Sequence, residues 1–258
     1  MLLRVAVVIS FMLYASWSDI KTREVSNKVW AVLGPVGLAL TLIQMFLTGS
    51  YLMLDDFALA FLITTGLAIG LFYLGFFGGA DAKALICLSV SLPFIPNEFF
   101  SPFFSLIPFL PISVFFNAIL TSISVALYAL LRNVFWVASG KPLFEGLKSE
   151  PLSKKLASLF TGYKVKVADL DKIYLYPIEK IEETPEDGIT RKFQVFVQAE
   201  AEREAAVNKI EEFSKRGLVK EVWVTPALPF LVFITVGLFA SLLFGDIIFC
   251  FLSLIWKI

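Results

Sequence analysis

The chain contains no histidine. With it go Ser-His-Asp and Cys-His hydrolysis, the HExxH zinc site and imidazole proton relays. Cysteine is nearly absent: only Cys87 and Cys250 occur, each inside an apolar stretch. Two thiols so placed read as core residues rather than as metal ligands or a disulfide framework, and no metal or cofactor is expected. Net charge is zero, and the polar part of the chain has no basic excess of the kind nucleic-acid binding requires. For hydrolysis, the remaining choices are a pair of carboxylates or a Ser with a Lys.

What is present is apolar. Of 258 residues, 58% are apolar, and the mean hydropathy is +0.80. Water-soluble domains hold about 45–50% apolar residues, so this composition is that of a membrane protein. The charges are gathered in one place: residues 138–224 carry 15 Lys+Arg and 15 Asp+Glu, out of 22 of each sign in the chain. Three regions follow. Residues 1–137 hold the first five membrane helices, 138–225 a small cytosolic α+β domain, and 226–258 a last membrane helix.

A spanning helix needs roughly 20 mostly apolar residues. Such stretches lie at about 2–18, 28–47, 57–77, 82–97, 103–134 and 226–245, predicting an α-helical membrane fold of six spans. The fourth is short, holds Lys83 and meets Pro93 and Pro96. The first has the outline of a secretory signal, but no small-x-small cleavage site precedes Trp17, and Asp19 follows at once. Orientation comes from Lys and Arg near the spans. Lys21, Arg23, Lys28, Lys83 and Arg132 fall on the side of the polar insert, whereas the alternate loops have only Asp55, Asp56 and Glu98. The reading is a multi-pass protein of the cytoplasmic membrane, N-terminus outside and insert inside. Arg4 and Lys257 oppose it.

Within the insert, YKVKV, KIYLYPI and VKEVWV read as strands. KFQVFVQ alternates Phe193, Val195 and Val197 on one face, and PEDG at 185–188 reads as a turn. AEAEREAAVNKIEEFSKRG reads as a helix stopped by Gly217. No phosphate-cradling glycine loop is present. The insert reads as an appendage that stabilises or positions something, without chemistry of its own.

Residues 1–137 hold only six acids, Asp19, Glu24, Asp55, Asp56, Asp81 and Glu98. On the topology above, Asp19, Glu24 and Asp81 share the inner side. Taken singly, Asp19 reads as an interfacial residue closing span 1, with Ser26 or Asn27 capping span 2. Asp81 reads as the N-cap of span 4, with Lys83 snorkelling to the interface. Taken together they suggest chemistry. Gly78 and Gly79 lack side chains, so another backbone can approach. Two close carboxylates cannot both ionise freely and share a proton; one then deprotonates water while the other polarises a peptide carbonyl. The two are expected to face a common cavity, with no need for contact before substrate binds.

GGADAKALI, residues 78–86, resembles the Gly-x-Gly-Asp-x-Lys motif of type IV prepilin peptidases and of the wider GxGD membrane aspartyl proteases, presenilin included. SDIKTREVSNK resembles the first-aspartate motif of the same peptidases, and TPALPF the Pro-Ala-Leu motif of presenilins. The order of spans and insert is most similar to the archaeal preflagellin peptidases. One residue departs: Ala80 stands where the motif has its second glycine. The resemblance implies Asp19 and Asp81 as the catalytic pair. It implies Gly78, Gly79, Ala80 and Lys83 as the surrounding motif, and Pro226, Ala227 and Leu228 as a substrate-contacting element. The implied reaction removes a short basic leader from a preflagellin- or prepilin-like subunit at the cytosolic membrane face. Glu24 is a candidate partner for that leader, or a solvated loop charge beside Lys21, Arg23 and Lys28.

Other readings use the same residues. An ion-coupled transporter would use the aspartates for coupling, but such proteins show repeated halves and midplane sites, and no internal repeat is visible here. A membrane scaffold would use them only as helix ends. A Ser-Lys dyad would pair Ser16 or Ser89 with Lys83.

Overall fold

The computed structural model describes residues 1–95, 108–172, 175–184, 188–194, 200–226, 229–248 and 250–251. Eight helices and five strands are named among them. α1 (Leu2–Thr22), α2 (Asn27–Leu47), α3 (Leu54–Tyr73), α4 (Gly79–Ser91) and α5 (Leu110–Ala138) lead into α6 (Leu152–Thr161) and β1 (Tyr163–Lys166). β2 (Leu175–Pro177), β3 (Glu179–Thr184), β4 (Gly188–Phe193), α7 (Glu200–Lys215), β5 (Glu221–Pro226) and α8 (Phe230–Phe244) complete the chain. Two compact units result, Met1–Ser122 with Pro229–Ile258, and Ile123–Leu228.

Four helices, α1, α2, α3 and α5, are long and apolar enough to cross a membrane. The protein is therefore mostly helical, with several apolar helices of membrane type and a small sheet-containing unit toward its C-terminus. The two remaining expected spans are shorter helices: α4 has 13 residues and α8 has 15. At 1.5 Å per residue they reach only about 20 Å and 23 Å, against a hydrocarbon core of about 30 Å. The sixth stretch begins later than its hydropathy suggests, because Thr225 and Pro226 are committed to β5, opposite Tyr176 and Leu175.

In the first unit α4 is the central helix, packed on α1, α2, α3 and α8. Its small and medium residues Ala82, Ala84, Leu85, Cys87 and Leu88 are buried, and they join Val8, Met12, Leu33, Leu231 and Leu238 in one apolar core. Glycine permits two of the close approaches. A Cβ on Gly37 of α2 would fall 1.8 Å from Ser91 Oγ of α4, and one on Gly237 of α8 would fall 2.5 Å from the Val114 carbonyl oxygen of α5. The far ends of α1, α2 and α4 are tied by polar contacts: Arg4 donates to Thr41 Oγ1 at 3.1 Å, and Thr41 Oγ1 meets the carbonyls of Val90 and Ser91 at 2.8 and 3.0 Å. Asp19 and Asp81 lie at the other ends of their helices.

The second unit is built on a three-stranded antiparallel sheet, β1-β5-β2, with a β3-β4 hairpin beside it. Trp223 of β5 is fully buried, stacked on Phe144 and met edge-on by Phe193. Buried Glu179 accepts both arms of Arg191, at 2.6 and 3.0 Å, and the Trp223 backbone N–H at 2.7 Å. α7 ends as the sequence predicts, with Gly217 at φ +75° and the Leu218 N–H closing on the Phe213 carbonyl. The strand expected at KFQVFVQ instead occupies Gly188–Phe193, paired along β3; Val195 and Val197 lie outside the described residues, as does 185–187 of the expected turn. β3 and α6 are additions that the sequence reading does not contain.

Candidate active site

α1 runs unbroken to Thr22 and stops because Arg23 turns left-handed, φ 59°, its N–H returning to the Asp19 carbonyl at 3.0 Å. That places Asp19 in the last turn, partly buried. Ser26 then caps α2 through its hydroxyl, which accepts the Lys28 N–H at 3.4 Å. Ser18 and Thr22 hydroxyls both donate to the Glu24 carbonyl, at 2.7 and 3.0 Å, fixing the connecting loop. Glu24 itself is exposed.

Asp81 is not the N-cap of its helix. Gly78 is, and Asp81 sits three positions on, its Oδ2 accepting the Gly78 N–H at 3.0 Å. This is one half of a capping box, and it aims the carboxylate at the helix start rather than along it. It also explains Gly78, since a Cβ there would come within 3.2 Å of Asp81 Oδ2. Gly79 is under less constraint: its nearest neighbours would be Phe72 and Lys83 at ordinary contact distance. Ala80 is partly buried against the core, so the extra methyl is accommodated. Lys83 is exposed and donates to Asn27 Oδ1 at 2.7 Å, tying the second turn of α4 to the first residue of α2. Phe77, buried between Phe115 and Phe230, pins the connection into α4.

These elements bring the two aspartates together. The Asp81 carboxylate lies within electrostatic range of Asp19, though no hydrogen bond joins them. Arg23 faces Asp19, and so does the backbone N–H of Leu231 in the first turn of α8. First-turn N–H groups have no partner inside their own helix and carry the positive end of its dipole. Asp81 occupies the start of α4, and Asp19 lies against the start of α8, so each carboxylate is met by a helix N-terminus. α8 is held in register on α1 by Ser16 Oγ, 2.7 Å from Thr235 Oγ1 and 3.2 Å from the Leu231 carbonyl.

Leu231 and Asn27 are contributors that sequence reasoning did not place in the site. A backbone N–H has no sequence signature, and in the sequence Asn27 reads only as a cap. The Ser-Lys alternative fares poorly: Ser16 is engaged with α8, Ser89 donates to the Ile86 carbonyl at 2.7 Å, and Lys83 is bound to Asn27. Pro226 is the last residue of β5, and Ala227 and Leu228 lie outside the described residues. A cavity of about 730 Å³ lined by Arg4, Thr41, Gln44, Asp56 and Phe109 belongs to the opposite end of the bundle, not to the carboxylates. Among the described residues, no group of three His, Cys, Asp or Glu converges to hold a metal.

Comparison with known proteins gives two family matches. Residues 6–130 match the type IV leader peptidase family, and residues 154–247 match the archaeal peptidase A24 C-terminus type II. Among individual relatives, the chain is 28% identical over 251 residues to the preflagellin peptidase of Methanocaldococcus jannaschii, covering 94% of each chain. It is 26% identical over 243 residues to that of Methanococcus voltae, covering 91% of this chain and 92% of the relative. It is 26% identical over 246 residues to that of Methanococcus maripaludis, covering 93% and 94%.

Proposed function

Because the chain belongs to the type IV leader peptidase family, we propose that it is a membrane aspartyl endopeptidase that removes the short basic leader of a preflagellin- or prepilin-like subunit. The supporting observation is that Asp19 and Asp81, on separate helices, lie within electrostatic range of each other. In this reading the pair holds one proton between them. The ionised carboxylate takes a proton from water, and the neutral one donates to the scissile carbonyl oxygen as the water adds. The resulting diol collapses as the carboxyl that took the water's proton passes it to the leaving amine, while the other carboxylate takes back a proton from the diol, so the pair again holds one proton. The Gly78 N–H occupies one oxygen of Asp81 and leaves the other for substrate or water. No covalent intermediate forms on the enzyme. Closing the gap between the carboxylates on substrate binding completes the site.

All six apolar helices cross the bilayer in this account. α4 crosses although short because it is wrapped by α1, α2, α3 and α8 rather than by lipid. The N-terminus lies outside and the catalytic end faces the cytosol, where Lys21, Arg23, Lys28 and Lys83 gather. A site at that depth meets water, a basic leader and the start of the subunit's apolar helix together. Glu24, exposed beside Asp19, attracts the leader's basic residues, and Pro226–Leu228, just ahead of Leu231 in the chain, is assigned to substrate contact by its motif.

The direct test is co-expression with a leader-bearing subunit, followed by N-terminal sequencing of the product. Cleavage immediately before the subunit's hydrophobic helix is expected. An intact leader, or a cut within the mature helix, would refute the proposal.

A further inference from the structure

Helix α6 presents an unusual surface for a polar unit. Leu152, Leu156 and Phe160 are spaced i, i+4, i+8 along one face, and they are 71%, 51% and 50% exposed. Its two lysines turn away: Lys154 pairs with Glu150 at 3.1 Å, and Lys155 donates to the Lys148 carbonyl at 2.9 Å. Ten residues make a marginal helix in water, and a row of large apolar side chains left in solvent adds nothing to hold it.

What covers that row is indicated by where α6 is fastened. Asn133, fully enclosed on α5, donates through Nδ2 to the carbonyls of Leu159 and Gly162 at 3.1 and 2.8 Å. The C-terminus of α6 is thereby locked onto a membrane-type helix, five residues before that helix ends. α5 has 29 residues. At 1.5 Å per residue it spans about 43 Å, against about 30 Å of hydrocarbon, so it is long enough for its last turns to reach headgroup level. On those turns Leu131, Val134, Phe135 and Val137 remain exposed, continuing an exposed apolar face of α5 that also holds Ile123, Leu127 and Tyr128. Trp136, with Lys141 4.4 Å from its ring centroid, is an aromatic-basic pair of the kind found at membrane boundaries.

We propose that α6 lies in the membrane–water interface at the end of α5, with Leu152, Leu156 and Phe160 set among the lipid chains. It extends the lipid-facing surface of α5 sideways and fastens the sheet-containing unit to the bilayer surface. An amphipathic helix with its apolar face sunk to the headgroup–acyl boundary behaves in this way.

The test uses the full chain in liposomes, with Cys87 and Cys250 replaced by Ala and a spin label attached at L156C, F160C or, as a solvent reference, N208C on α7. Each labelled protein is first checked for leader cleavage, so that a failure of folding or of the peptidase reading is seen separately. Accessibility is then measured to oxygen, which concentrates in lipid, and to a water-soluble nickel chelate. High oxygen and low nickel accessibility at 156 and 160, with the reverse at 208, is the expected result. Nickel accessibility at 156 and 160 equal to that at 208 would place the face in water and overturn the proposal. Low accessibility to both reagents would place a protein surface there and overturn it equally.

Discussion

Asp19 and Asp81 were legible as rare acids in an apolar chain, but their convergence was not. About sixty residues separate them, and nothing in composition or period joins them; only the resemblance of their motifs did. The groups that orient them were less visible still, being a glycine N–H, a Leu231 N–H and the Lys83–Asn27 bond. That bond makes a prediction. Lys83→Met and Asn27→Ala should each slow cleavage several-fold while leaving KM for the subunit unchanged. The double variant should be little worse than either single one, giving a coupling of about 0.5–1.5 kcal/mol, as for one modest hydrogen bond. Additive losses in a full double-mutant cycle would show that the two residues act separately.

At the scale of elements, the apolar runs mark where apolar helices form and miss their ends. α1, α2 and α3 lie close to where hydropathy puts them. The last apolar run starts at Pro226 but its helix only at Phe230, because β5 claims Pro226, a pairing decided by a strand far away in sequence. α6 is absent from a reading by apolar runs although Leu152, Leu156 and Phe160 keep a clear helical period, because ten residues are too few to register as a span. Helix contacts in the bundle depend on small residues, and Gly237 is the sharpest case. Its missing Cβ would lie 2.5 Å from a backbone carbonyl of α5 and 2.8 Å from the Ala118 nitrogen, neither of which can swing aside. Gly237→Val should destabilise the protein by about 1–3 kcal/mol, the usual cost of overpacking. A lowered thermal midpoint in detergent would show it, and an unchanged midpoint would mean that α5 and α8 are free to separate.

On the scale of the molecule, the charge distribution sets a polar stretch at 138–224 apart from the apolar rest, whereas the second compact unit begins already at Ile123, inside α5, and its sheet order has no sequence signature. Its interior holds a charge whose burial no sequence pattern announces. Lys164 of β1 is almost fully enclosed, donating to the Pro142 carbonyl at 3.2 Å and lying 4.0 Å from Glu221. Burial, and then the nearby Arg191 guanidinium, hold its ammonium below the usual lysine pKa. A base whose folded value is depressed costs stability while it is protonated. That cost fades as pH rises through the folded value toward the ordinary one of about 10.4. Denaturant melts of the full chain in micelles should therefore show wild type gaining on Lys164→Met as pH is raised from neutrality. A difference independent of pH would mean that Lys164 titrates normally.

The proposed reaction rests on two carboxylates acting as one site. The most direct measurement is the rate of leader removal in membranes by Asp19→Asn and Asp81→Asn, each quantified for expression and insertion. Asp55→Asn/Asp56→Asn at the far end of the bundle serves as the control. Each single Asn variant should lose about 10²–10⁴-fold or more, the worth of an acid–base group, with the control unaffected. Either variant cleaving at the wild-type rate would contradict the account.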